Sequence, residues 1–111
     1  MLAKTKTFSV SGGSTKIEAA HMGINSTLKR AIVNLYASVN GSFSTETTVV
    51  TIKNTETSAE GDIYINVLTS STPGNFSIKN IVLSSYHEII ITTTGGGTVE
   101  GVVCGFAETD E

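Results

Sequence analysis

The chain has 111 residues, a formal net charge of −3 and only 15% charged residues, and Ser plus Thr make up more than a quarter of it. This length fits one domain that can bury a core without metals or disulfides. The acidic balance argues against a nucleic acid partner, because phosphate binding needs clustered Lys and Arg. No run approaches the roughly eighteen apolar residues of a membrane span, so we expect none.

The N-terminal segment predicts two short strands separated by glycines. Residues 4–10 alternate between polar and apolar side chains, Gly12-Gly13 interrupts the pattern, and residues 15–20 predict a weaker strand. Residues 1–11 are therefore either an edge strand of the domain or a mobile arm that adds a strand to a neighbouring copy. The candidate arm residues are Leu2, Thr5, Thr7, Phe8 and Val10.

Residues 28–39 fit two periodicities. Their apolar side chains form a helical stripe that includes Ala31 and Leu35, and they also form one face of a strand. We favour a strand over residues 31–39, because the following Asn40-Gly41 pair is a strong hairpin signal and the surrounding sequence favours β-structure.

The remaining sequence alternates β-branched runs with turn residues, including Pro73-Gly74 and Gly95-Gly96-Gly97. Further strands are predicted at residues 49–52, 63–67, 76–78, 81–83, 88–93 and 99–106. About eight strands at roughly ten-residue spacing predict an all-β, single-domain β-sandwich over residues 12–107, with an acidic tail at 108–111. An eight-stranded jelly roll is the first choice, and an immunoglobulin-like sandwich is the alternative. The predicted core residues are Ile52, Ile63, Ile65, Val67, Phe76, Ile78, Ile89, Ile91, Val103 and Phe106.

Cys104 is the only cysteine, so no disulfide can form within the chain. Its neighbours Val102, Val103 and Phe106 favour a free thiol buried in the core, because an unpaired cysteine behaves as a small apolar residue. A disulfide to another chain is the alternative.

The sequence offers no constellation for catalysis or metal binding. His21 and His87 lie far apart without a cysteine pair, whereas a zinc site needs about three or four ligands at consistent spacing. The Gly-x-Ser-x-Gly elbow of hydrolases is absent. We therefore predict no catalytic residue, no metal, no cofactor and no enzymatic activity. A carbohydrate-binding module is less favoured, because such modules stack sugars on exposed rings, whereas Trp is absent and Tyr36, Tyr64 and Tyr86 are scattered.

Weakly charged strands favour self-association, because Thr, Ser and Asn faces pack without costly charge desolvation. Sheet edges normally carry Lys, Pro or bulges. Residues 63–67 and 89–93 contain neither Lys nor Pro, which predicts open edges. We therefore predict a structural subunit that joins copies of itself by β-strand addition in an extracellular fibre or appendage. A phage or virus virion protein is the alternative function. The N-terminal residues show no apolar segment of the kind found in a Sec signal peptide.

The final predicted strand contains a Gly-x-x-Cys element, Gly101-Val102-Val103-Cys104, and Thr-rich strands and an N-terminal connector precede it. In these features the chain resembles the jelly-roll subunits of Gram-positive endospore appendages. In that family the cysteine pairs with cysteines in a neighbour's connector. The N-terminal segment here contains no cysteine, so the resemblance implies a fibre at the cell or spore surface that is held by strand addition alone.

Overall fold

Nearly the whole described chain forms antiparallel β-strands. The computed structural model describes residues 2–24, 28–69 and 74–109. Thr, Val and Ile favour this extended backbone because branched side chains lose little freedom on a pleated surface. A 3-10 turn at Ala19–Met22 follows the first of the strands, which are β1 (Leu2–Glu18), β2 (Leu28–Asn40), β3 (Glu46–Asn54), β4 (Glu60–Leu68), β5 (Gly74–Ser84) and β6 (His87–Thr109).

β1 and β6 are long strands that run through both halves of one curled sheet. Residues 2–11 of β1 pair with the C-terminal half of β6, and residues 13–18 pair with its N-terminal half. The register shifts at Gly12, whose φ is 60°, beside Gly95, whose φ is 122°. Glycine adopts these left-handed values without strain, so the two paired strands bend together at this point.

The bend produces two four-stranded half-sheets that face each other. One half-sheet has the order β1-β6-β2-β5 and the other has the order β1-β6-β3-β4. Each half of β1 and β6 therefore acts as a separate segment, and the eight segments have the arrangement of a jelly roll. The predicted all-β jelly-roll sandwich is confirmed, although β1 and β6 continue through the glycines that were expected to end strands.

The core lies between the half-sheets and follows the two-residue period of the strands. Leu35 on β2 and Val103 on β6 are directly paired and have no exposed surface. Tyr64 on β4 stacks on Phe76 on β5 across the sandwich, with ring centroids 5.2 Å apart. The most completely buried apolar side chains are Ile17, Met22, Ala31, Val33, Leu35, Val39, Val50, Leu83, Ile89, Ile91, Val99, Val103 and Ala107.

The strand predicted over residues 31–39 is confirmed, whereas the hairpin at Asn40-Gly41 is wrong. β2 pairs with β5 and β6, and β3 pairs with β4 and β6, so β2 and β3 are not neighbours. The chain after Gly41, whose φ is 105°, instead passes from one half-sheet to the other, and Phe43 is buried in this connection. The local turn signal was correct, but tertiary burial decided where the chain goes after it.

Part of the predicted core faces solvent. Ile63, Ile65 and Val67 on β4 are 41%, 58% and 52% exposed, and Phe106 on β6 is 55% exposed. Alternation distinguishes two faces of a strand without saying which one is buried. On β4 the inward positions are taken by Tyr64, Asn66 and Leu68, so the aliphatic face points outward. Ile52 and Ile78 are half-buried, and the other four predicted residues, Phe76, Ile89, Ile91 and Val103, are buried.

Two predicted features lie partly outside the described residues. Pro73 of the predicted Pro73-Gly74 turn is not described, and Gly74 begins β5. β6 continues to Thr109, and residues 110–111 of the predicted acidic tail are not described. No helix within the described ranges is long and apolar enough to cross a membrane.

Candidate assembly surfaces

The candidate arm segment forms an edge strand within the domain. Its residues 2–11 pair with β6, and Phe8 and Val10 are buried in the core. Thr5 and Thr7 lie on the outer face and are exposed, whereas the Leu2 side chain is not among those described. The structure thus shows the first of the two alternatives for this segment. Donation of the segment to a neighbouring copy remains a prediction.

Only one of the two segments that were predicted to form open edges lies at an edge of a sheet. β4 ends one half-sheet and pairs only with β3 among the described strands, so residues 63–67 lie at a free edge. Residues 89–93 belong to β6, which has β1 on one side and β3 on the other, so the prediction for this segment is wrong. A run without Lys or Pro fits a central strand as well as an unguarded edge, which is why sequence cannot distinguish them.

A row of apolar side chains crosses the outer face of the half-sheet β1-β6-β2-β5. The strand register aligns Ala3 with Phe106, Phe106 with Ile32, and Ile32 with Val82. Ile32, Val82 and Phe106 are 39%, 52% and 55% exposed, and Ala3 is also exposed. Four strands at about 4.8 Å spacing make this apolar row about 15 Å long. The sequence signal that could have indicated it is the unbroken apolar triplet Ala31-Ile32-Val33, which places the apolar Ile32 on the otherwise mostly polar outer face of β2.

Cys104 lies on this outer face beside the apolar row. It pairs with Thr5 on β1 and Asn34 on β2, and its thiol is free and half-buried. The predicted core position is wrong, because the two-residue period places Val103 inward and Cys104 outward. Its neighbours Val102 and Phe106 are apolar, but they also point away from the core.

A shallow groove next to the apolar row is lined by polar groups around one aromatic ring. Tyr36 is 41% exposed, and Ser77 lies directly opposite it on β5. Ser38 and Glu100 face each other one step further along, and Asn40 donates a side-chain hydrogen bond of 3.3 Å to each of these two residues. The groove has a volume of about 480 Å³. In this groove a polar ligand can stack on the Tyr36 ring and form hydrogen bonds with the surrounding Ser and Glu side chains.

The two histidines form hydrogen bonds within turns. His21 Nδ1 accepts a 2.9 Å bond from the Glu18 backbone N–H, and His87 Nδ1 accepts a 3.2 Å bond from the Ser84 backbone N–H. The Ser84 hydroxyl lies 3.0 Å from the same His87 nitrogen. Among the described side chains no three His, Cys, Asp or Glu residues are grouped so that they could hold a metal ion.

A buried carboxylate fixes the bend of β6. Glu46 is 1% exposed, and its Oε2 accepts a 2.9 Å hydrogen bond from the Gly97 backbone N–H. A Cβ on Gly95 would lie 3.1 Å from the Glu46 Cα and closer still to the Thr45 carbonyl oxygen. The glycine triplet therefore forms the corner between the half-sheets because only glycine permits this approach.

Comparison with known proteins shows similarity of fold alone. No protein-family model and no curated protein matches the chain. A carbohydrate-binding module of the family 9 glycoside hydrolase Cel9A from Ruminococcus flavefaciens FD-1 is 13% identical, with a TM-score of 0.56 over 96% of this chain and 98% of that one. At such identity the shared property is the jelly-roll architecture, because one fold serves many unrelated functions.

Two assembly-forming proteins have the same fold. A protein of the Bacillus endospore appendages, described as disulfide-linked pili, is 13% identical with a TM-score of 0.52, over 97% of this chain and 87% of that one. A chain from T=1 particles derived from infectious bursal virus is 14% identical with a TM-score of 0.53, over 97% of this chain and 31% of that one. The resemblance to endospore appendages is thus present in the fold.

Proposed function

We propose that the chain is a non-enzymatic structural subunit that assembles with copies of itself. The observation that carries the proposal is the apolar row Ala3, Phe106, Ile32 and Val82, which crosses all four strands of one outer face. Contact with another copy would remove this surface from water, at about 25 cal/mol per Å² of apolar area. Contiguous exposed apolar patches mark interaction sites more often than scattered single residues do.

An extracellular fibre or surface appendage is the first choice, and a virion protein is the alternative. The shared fold with endospore pili and with virus-derived particles supports both roles. The two assemblies differ in geometry, because a fibre needs a head-to-tail contact that does not close, whereas a ring or shell needs contacts that do. Electron microscopy of the purified protein distinguishes an open filament from a closed particle.

The proposal is tested by the association state and by one matched pair of variants. We expect the purified chain to sediment as oligomers whose size grows with concentration. Phe106→Ser should shift this association to higher concentration, because Phe106 lies within the apolar row. Tyr86→Ser is the control, since Tyr86 is similarly exposed, at 50%, but lies in the turn between β5 and β6. A wild-type chain that stays monomeric at every concentration contradicts the proposal.

Donation of the N-terminal segment to a neighbour requires a strand exchange, because the segment already pairs with β6 of its own chain. Residues 2–11 would have to leave β6 and take the same register on β6 of a neighbour, carrying Phe8 and Val10 with them. Deletion of residues 1–10 should then give a monomer that no longer assembles. If the shortened chain is folded and forms the same assembly, the segment does not act as an arm.

Carbohydrate binding is a second candidate, favoured by the groove around Tyr36. The partly exposed ring lies beside Ser38, Ser77 and Glu100, and a carbohydrate-binding module has the same fold. A glycan array tests the idea directly. Binding that is lost in Tyr36→Ala and kept in Tyr86→Ala would support this role, whereas no binding to any glycan would refute it.

A further inference from the structure

The free edges of the two half-sheets differ in how well they are protected. β1 carries Lys4, Lys6 and Lys16 and has a register shift at Gly12. β5 carries Lys79 and has a register shift there as well, next to Asn80, whose φ is 60°. Charged Lys side chains and bulges both discourage pairing with another chain, so β1 and β5 have the features of guarded edges.

β4 lacks these features over its C-terminal part. Residues 63–68 contain no Lys, Arg or Pro. The register of β4 with β3 shifts at Ile63 and is regular from Tyr64 to Leu68, so this last stretch has neither a bulge nor a cation. The side chains of Ile63, Ile65 and Val67 point outward and are exposed. β3 is the partner of β4 among the described strands, so the backbone groups on the opposite side of β4 have no partner strand there.

We propose that β4 pairs antiparallel with β4 of a second copy, across a two-fold axis at Ile65. This inference rests on the proposed self-association and names the strand that mediates one of its contacts. The axis places Ile65 opposite Ile65 and Tyr64 opposite Asn66 within the regular part of β4. Ile63, at the register shift, then lies next to Val67 of the other copy, so the exposed apolar side chains of both copies lie side by side. The contact is isologous, and it joins two half-sheets into one eight-stranded sheet.

Charge selects the antiparallel arrangement. β4 begins with Glu60 and Asp62 and ends with the uncharged segment Val67-Leu68. With an axis at Ile65, Asp62 of one copy lies opposite Leu68 of the other, and no two carboxylates meet. A parallel pairing in register would place Asp62 next to Asp62, and like charges directly opposite each other destabilise a sheet.

A paired set of lysine variants separates this contact from association through the apolar row. Ile65→Lys places two cations opposite each other, and we expect it to weaken dimerisation about 100-fold or more. Val82→Lys is the control, because Val82 has similar exposure but lies on β5 in the apolar row. We expect Val82→Lys to retain the dimer as measured by analytical ultracentrifugation, while larger assemblies are lost. Circular dichroism confirms that both variants fold.

Cross-linking provides a second measurement that does not depend on a charge. In a Cys104→Ser background, Ile65→Cys should form a covalent dimer with oxidised glutathione, because the two thiols face each other at the axis. Tyr86→Cys in the same background should not form it, because Tyr86 is exposed in the turn between β5 and β6, outside both proposed contacts. If the wild-type chain associates but Ile65→Lys leaves the dimer intact, or Ile65→Cys does not cross-link, the β4 contact is refuted alone. A wild-type chain that is always monomeric refutes the proposed function as well.

Discussion

Gly101 of the Gly-x-x-Cys element is expected to contribute strongly to stability because β2 passes close to it. A Cβ at this position would lie 2.8 Å from the Ala37 Cα and closer still to the Tyr36 carbonyl oxygen. Both atoms belong to the backbone of the paired strand, so no side-chain rotation relieves the clash. Gly61 on β4 is the matched position, because a Cβ there would have no atom within 4 Å.

The expected sizes follow from these two environments. Gly101→Ala must push β2 away from β6, and overpacking of this kind costs about 3 kcal/mol at the upper end of its usual range. Gly61→Ala should change the free energy of unfolding by about 0.5 kcal/mol in the stabilising direction, because alanine restricts the unfolded chain. At about 4 °C per kcal/mol for a domain of roughly this size, Gly101→Ala should lower Tm by about 12 °C.

Urea unfolding followed by circular dichroism measures both variants against the wild type. The difference between them should be about 3.5 kcal/mol, and Gly101→Ala should remain folded without urea if the wild-type stability is within the usual range of about 5–15 kcal/mol. Equal unfolding free energies for Gly101→Ala and Gly61→Ala would refute the reasoning. They would show that β2 and β6 separate at negligible cost at this point.

Three further outcomes test the assignment of faces and charges. The Cys104 thiol should react with a thiol reagent in the native protein, whereas reaction only after unfolding would place it in the core. Val103→Ala should lower the unfolding free energy by about 2 kcal/mol in urea titrations, and Phe106→Ala should change it by less than about 0.5 kcal/mol; similar losses would contradict the alternation. The Lys16 ammonium group forms an ion pair with Glu18, at 3.1 Å from a carboxylate oxygen, and this hydrogen bond raises the pKa of Lys16 above 10.5. The contribution of the ion pair to the free energy of unfolding is therefore complete below pH 10.5 and is lost as the pH rises through the raised pKa. Lys16→Gln should therefore reduce the loss of stability at alkaline pH, and an unchanged alkaline unfolding curve would count against the ion pair.

The amino-acid sequence by itself determined the fold class and most strand positions. The β-branched runs at residues 31–39, 49–52 and 99–106 all lie within strands. This succeeds because extended backbone is a local preference of branched side chains, and glycine clusters mark where the chain must bend. Gly12-Gly13 and Gly95-Gly97 were correctly placed as interruptions, although they bend strands instead of ending them.

The tertiary structure alone decided which face of each strand is buried and which strands lie at edges. Ile65 and Ile91 both belong to alternating β-branched runs, yet Ile65 is 58% exposed at an edge and Ile91 is fully buried in the middle of a half-sheet. Local periodicity defines two faces of a strand but not which of them is buried. Packing against residues distant in sequence decides that. For the same reason Cys104 faces outward beside the buried Val103, and Ala3, Phe106, Ile32 and Val82 become one surface only when four strands pair.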